Sequence, residues 1–138
     1  MTFKHELVPL KELNTKSSDT GRFYETPEGQ SYPSVTTITG LLSKASILAW
    51  RQRVGDSKAD AITKAATTRG NKVHKMAEMY LRNEMASQIN LFEDPMPHIE
   101  DMFFQLTELL DNSIGIINAI EAPLYSDQLK VGGRVDVI

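Results

Sequence analysis

The chain has 138 residues, 41% hydrophobic and 24% charged, which suits one globular domain. It has no cysteine, which excludes a disulfide scaffold, a zinc-thiolate site, an iron–sulfur cluster and a thiol nucleophile and fits a reducing cytoplasm. The net charge of −3 argues at first sight against a nucleic-acid partner.

Residues 1–21 read as an irregular lead-in with a polar cluster over residues 14–21. Residues 22–26 and 30–32 flank Pro27-Glu28-Gly29, the pattern of a short hairpin. Pro33-Ser34 opens a helix with Ser34 as N-cap and an apolar stripe of Val35, Ile38, Leu41 and Leu42. A second helix is expected from Ser46, carrying Ile47, Leu48, Trp50 and Val54 and stopped by Gly55. Asp56 or Ser57 caps a third helix through Ala59, Ile62 and Ala66. Thr67 or Thr68 caps a fourth, from Arg69 to about Ala86, with Val73, Met76, Ala77, Tyr80 and Leu81 on its buried face. Residues 88–97, with two prolines, form a loop. A fifth helix turns Ile99, Met102, Phe103, Leu106, Leu109 and Leu110 inward and ends at Gly115. The period then changes to that of strands, over residues 116–125 and 131–138, with a turn between them. This is an antiparallel hairpin.

The sequence ends on Val137-Ile138, inside the second of these strands. A lone hairpin is marginal in water. The expectation is therefore an N-terminal portion of a longer protein, cut within its central sheet; a short natural edge hairpin is the alternative. No apolar run approaches the roughly 18 residues of a membrane span, and the N-terminus is not a signal peptide. A cytoplasmic protein without a membrane partner is expected.

Charge is unevenly distributed. Residues 1–50 are balanced. Residues 51–75 hold Arg51, Arg53, Lys58, Lys64, Arg69, Lys72 and Lys75 against Asp56 and Asp60, a net of +5. Residues 76–138 carry a net of −8. A compact basic segment in an acidic chain suits a phosphate backbone, or is a solvated helix face.

Three groups of residues suggest chemistry. His74 and Glu78 are one helical turn apart and could share a metal shell, although surface His/Glu pairs are common. Asp136 lies between two valines in Gly133-Arg134-Val135-Asp136-Val137, where an acid calls for a cation: Arg134, another base, or a metal. Glu121 is a similar acid on the preceding strand. Thr67-Thr68-Arg69-Gly70-Asn71-Lys72, read as a helix start, is a natural phosphate cradle. Trp50 suits a core position more than a stacking platform, but Arg51 and Arg53 beside it keep stacking open.

Read in order, Tyr32-Pro33-Ser34-Val35-Thr36-Thr37, Trp50-Arg51-Gln52-Arg53, Arg69-Gly70-Asn71-Lys72-Val73-His74, Glu121 and Gly133-Arg134-Val135-Asp136 resemble the RecB-type branch of the PD-(D/E)XK nucleases. The likeness is greatest to phage exonucleases and the mitochondrial genome-maintenance exonuclease, over about residues 22–138. The resemblance implies a mixed α/β fold, with a helical N-terminal half packed on the start of the nuclease sheet. It implies a metal-dependent DNA nuclease, a single-strand exonuclease of DNA repair or recombination, working with Mg²⁺ or Mn²⁺ in the cytoplasm (the bacterial host's, if phage-encoded). His74 and Asp136 match metal ligands; Glu78 and Glu121 match commonly acidic positions, Glu78 as a metal ligand and Glu121 as a catalytic acid. Thr68, Arg69, Lys72, Trp50, Arg51, Arg53, Ser34 and Thr36 fall to DNA contact. The family's D/E-x-K motif, on the next strand, does not follow Asp136 here. The fragment is therefore expected to be inactive alone, unless a second chain supplies the missing strands. Two other readings stand beside this one: a non-catalytic nucleic-acid-binding or regulatory domain, and a helical interaction module.

Overall fold

The computed structural model describes residues 2–84 and 97–138. The fold is mixed α/β, with helices followed by sheet strands. In chain order the elements are β1 Lys4–His5, β2 Asn14–Ser18, β3 Gly21–Glu25, β4 Ser31–Pro33, α1 Val35–Val54, α2 Asp56–Leu81, α3 Pro97–Ser113, β5 Ile116–Ile117, β6 Ile120–Ser126 and β7 Val131–Val137. Among the described residues no helix is long and apolar enough to cross a membrane. The chain divides into two compact units. One comprises Met1–Val8, Ser57–Ile120 and Val137–Ile138; the other comprises Pro9–Asp56 and Glu121–Asp136.

The first unit is built on α2 and α3. Met76, Ile99 and Phe103 form one buried cluster, and Phe3, Leu81 and Ile117 form another. Tyr80 joins both, edge-on to Phe3 and Phe103 at ring separations of 5.4 and 5.8 Å. Met79 and Ile117 are fully buried, each worth about 1.5–3 kcal/mol of transfer free energy. β1 pairs in parallel with β5, Lys4 opposite Ile116. The chain end closes on the same strip, with Ile138 N–H donating to Ala119 O at 2.9 Å.

Helix α2 ends five residues before the expected Ala86, which itself lies outside the described residues, as does most of the 88–97 loop. The stop is Asn83, in the left-handed region at φ 62°. Glu84 N–H bonds Met79 O at 2.9 Å and Asn83 N–H bonds Tyr80 O at 3.1 Å, the paired closure of a Schellman end. The Asn83 side chain also brackets Phe3, accepting from its N–H and donating to its carbonyl at 2.9 Å each. His5 Nε2 lies 2.7 Å from Leu81 O, which can only accept, so the ring donates to the last turn.

The second unit begins with the antiparallel sheet β2-β3-β4, where Tyr24 lies opposite both Thr15 and Tyr32. The 22–32 hairpin forms as expected, with Gly29 at φ 85° in its turn. The lead-in is less irregular than the sequence suggests, since β1 and β2 both lie in it. Ser18 and Gly21 close a tight link to β3. Polar residues form β2 because each faces a ready strand, an influence local propensity does not register. Gly21, at φ 129°, is pressed against Thr37: a Cβ there would fall 2.4 Å from Thr37 Cγ2. β6 and β7 are bonded neighbours joined by a turn at residues 127–130, the expected hairpin, although its expected first strand, 116–125, is split: β5 pairs with β1, and β6 begins at Ile120.

The helix boundaries differ from expectation. Two continuous helices replace the expected four over residues 35–81. Lys44 and Ala45 favour helix, and Ser46 is no stronger a break than any interior serine. Thr67-Thr68 costs a fraction of a kcal/mol per residue, and an existing helix propagates through it. Gly55 does break the chain, at φ 87°, and accepts the closing role by donating to Arg51 O.

The apolar stripe of α1 is not a core face: no residue of this helix is buried, and Leu42 is 87% exposed. Its sheet contacts in this unit lie in the first turn, at Val35 and Thr37. On α3, Ile99 and Phe103 are buried but Met102 and Leu109 are exposed. These two are seven residues apart and share a stripe displaced from the Ile99–Phe103 face.

Candidate functional site

Glu121 and Asp136 occupy β6 and β7, neighbouring strands of the second unit. A carboxylate oxygen of each lies within 4.8 Å of the other. Glu121 is half-buried and Asp136 exposed. Glu121 has φ 54°, an unusual backbone for a non-glycine residue in a strand, and such conformations concentrate at functional sites. Its carbonyl accepts from Arg134 Nη1 at 2.8 Å. The same guanidinium pairs through Nη2 with Glu12. Arg134 thus braces the backbone that carries Glu121.

The donor chemistry fits a hard divalent cation. Carboxylate oxygens suit Mg²⁺ and Mn²⁺, and the absence of cysteine leaves no thiolate ligand. Two carboxylates this close repel, and a cation between them removes that repulsion.

His74 lies on α2 in the first unit and is exposed. Glu78, one turn on, is not presented as an open ligand. Its carboxylate accepts from Lys75 at 3.2 Å and from Arg82 at 3.1 Å. Burial pushes its pKa up, but the two cations outweigh burial and hold it below the ordinary value.

The phosphate-cradle reading of residues 67–72 fails. These residues lie inside the 26-residue α2, not at its start. Amides in a helix interior bond the preceding turn, so no set of free N–H groups faces outward. What remains is side-chain chemistry. Residues 60–71 are exposed throughout, including Lys64, Thr68 and Arg69, while Lys72 is half-buried.

The other expected DNA contacts all belong to the second unit. Trp50 is half-buried near the end of α1, Arg53 is exposed, and Arg51 pairs with Asp56 at 3.1 Å. Ser34 is 2% exposed and works as the α1 N-cap, its Oγ accepting from Thr37 N–H at 3.0 Å. It shapes the turn and leaves Thr36, which is exposed, to meet solvent.

Sequence reasoning did not single out the cavity of about 590 Å³ in this unit, lined in part by Arg22, Val35, Thr36, Leu124, Tyr125 and Gly133. Its walls come from β3, α1, β6 and β7. The paired glycines entering β7 were the one sequence signal for it. A Cβ at Gly132 would fall 2.7 Å from Tyr24 Cβ, so the strand sits against that ring only as glycine.

The chain matches no protein-family model, no curated protein and no solved structure.

Proposed function

We propose that this protein binds a divalent cation and a DNA strand as part of a metal-dependent nuclease. The observation that carries the reading is the Glu121–Asp136 pair, with oxygens within 4.8 Å on adjacent strands and Glu121 in a left-handed conformation. In this reading Glu121 and Asp136 hold the cation. His74 keeps the metal-ligand role that the family resemblance implies, and the Glu121–Asp136 pair does not depend on it. Mg²⁺ or Mn²⁺ bound there supplies a Lewis acid for a phosphodiester and a water of lowered pKa. Thr68, Arg69 and Lys72 hold the backbone, with Trp50, Arg51, Arg53 and Thr36 as further contacts. Single-stranded DNA is the favoured partner. Glu78 serves the helix as an ion-pair partner.

The test is Mn²⁺ titration by calorimetry, paired with a single-strand nuclease assay. Asp136→Asn and Glu121→Gln are each expected to weaken Mn²⁺ binding at least about tenfold, the scale of losing a partner at a metal site. Unchanged affinity in both variants rejects the metal site. A second reading, DNA binding without catalysis, is favoured by the net charge of +5 over residues 51–75, where Arg53, Lys58, Lys64 and Arg69 are exposed, and needs no metal. It predicts single-strand binding that is insensitive to chelator.

A further inference from the structure

We infer that the cavity of the second unit seats the base of the nucleotide next to the phosphodiester held at Glu121 and Asp136. This inference rests on the metal-dependent reading above. Four observations support it. The cavity, about 590 Å³, is of the size that takes a small organic ligand. Its walls are chiefly apolar, with Val35 and Leu124 beside the ring of Tyr125. Tyr125 lines the cavity and is 36% exposed, so part of its aromatic surface is accessible to a stacking partner. Arg22 and the Thr36 hydroxyl are among the polar groups of its lining and would meet sugar and phosphate.

The cavity and the acid pair also share structure. Val131 through Val135 line the cavity and Asp136 follows directly on the same strand. Arg134, which lines the cavity, bonds the Glu121 carbonyl. One strand residue spans about 3.3 Å, so the cavity wall at Val135 adjoins Asp136, while Tyr125 lies about 13 Å along β6 from Glu121, a span that a nucleotide and its neighbouring phosphate bridge in an extended strand. An apolar pocket with a partly exposed aromatic ring and a cation suits a planar heterocycle bearing an anion, and a nucleoside 5′-phosphate is that ligand.

The experiment titrates the whole chain with thymidine 5′-monophosphate in chelator, by protein-observed NMR, and separately with Mn²⁺ alone. Saturable nucleotide binding is expected. Tyr125→Ala should weaken it about tenfold or more, as loss of one base–aromatic stack does. Gly133→Leu should block it by filling the cavity. Gly133→Ala should preserve it, because a Cβ there meets Val35 at an ordinary 3.6 Å. Circular dichroism confirms that each variant is folded, and Tyr125→Ala decides the matter if Gly133→Leu does not fold. No nucleotide binding, or equal affinity in Tyr125→Ala, overturns the inference. Nucleotide binding with no Mn²⁺ binding supports the cavity and overturns the metal reading. Mn²⁺ binding without nucleotide binding does the reverse.

Discussion

Asp136 and Glu121 place two negative charges on adjacent strands, and their value to the protein depends on what neutralises them. If Mn²⁺ does so, it binds only the folded chain and stabilises it by mass action. A hundredfold excess over Kd corresponds to about 2.7 kcal/mol. Wild type should therefore melt several degrees higher with Mn²⁺, while Asp136→Asn should not respond; differential scanning fluorimetry reads both. Two other residues report on local electrostatics. Tyr32 donates to Asp127 Oδ1 at 2.6 Å. The Asp127 carboxylate, with burial, pushes the Tyr32 pKa up to about 12. Because the folded value is raised, this contact stabilises the fold below pH 10 and is lost as pH rises towards 12. Tyr80 and Tyr125 are also raised, by burial first, so absorbance titration should show late-titrating tyrosines in wild type, with the last of them returned towards 10 in Asp127→Asn. Glu78 has the opposite sign. Its folded pKa is depressed, so its contribution is present above about 4.5 and disappears as pH falls through the lower folded value. Glu78→Gln should be less stable than wild type at pH 7 and equal to it in strong acid, by urea midpoints.

At the scale of elements, the ends matter more than the middles. Asn83 combines a left-handed stop for α2 with two hydrogen bonds to Phe3. Asn83→Ala should cost roughly 2–4 kcal/mol, counting the backbone strain and the unpaired Phe3 groups. Asn83→Gly keeps the backbone and should cost less; urea unfolding separates the two. Ser34→Ala removes the α1 N-cap and should cost about 1 kcal/mol. The apolar stripe of α1 illustrates a limit of periodicity. Val35, Ile38, Leu41 and Leu42 recur at helical spacing, and the helix forms, yet none is buried. Spacing reports which residues share a face; a neighbouring surface decides whether that face is covered.

Across the whole molecule the dominant feature is the separation of charge, with a net of +5 over residues 51–75 inside a chain of net −3. Arg53, Lys58, Lys64 and Arg69 are exposed there. If these four neutralise phosphates, the affinity for single-stranded DNA should fall roughly fifty-fold between 50 and 200 mM salt, from a slope of about 0.7 per phosphate. Fluorescence anisotropy of a labelled oligonucleotide measures this. Absent binding at low salt, or a flat salt response, rejects DNA as the partner.

The mixed α/β class, the 22–32 hairpin, the Ser34 cap, the Gly55 break, α3 and the closing hairpin were legible in the sequence. Each depends on short-range chemistry: turn residues, a capping hydroxyl, a period of two or 3.6. Glu121 and Asp136 were legible as individual acids out of place between apolar neighbours. Their approach within 4.8 Å was not, because strand register is set by pairing across the sheet. The continuity of α2 through Thr67 and Thr68, which removed the phosphate cradle, was decided by helix propagation over small unfavourable propensities. Of the lead-in strands, β1 needed partners remote in sequence, Ile116 and Ile117, whereas β2 pairs with the adjacent β3 and was missed because its residues are polar. The cavity is assembled from β3, α1, β6 and β7, and no window of sequence contains it. Local residue chemistry determined the elements and the candidate ligands; the tertiary structure decided which groups meet, because distance in space is fixed by packing and pairing between segments far apart in the chain.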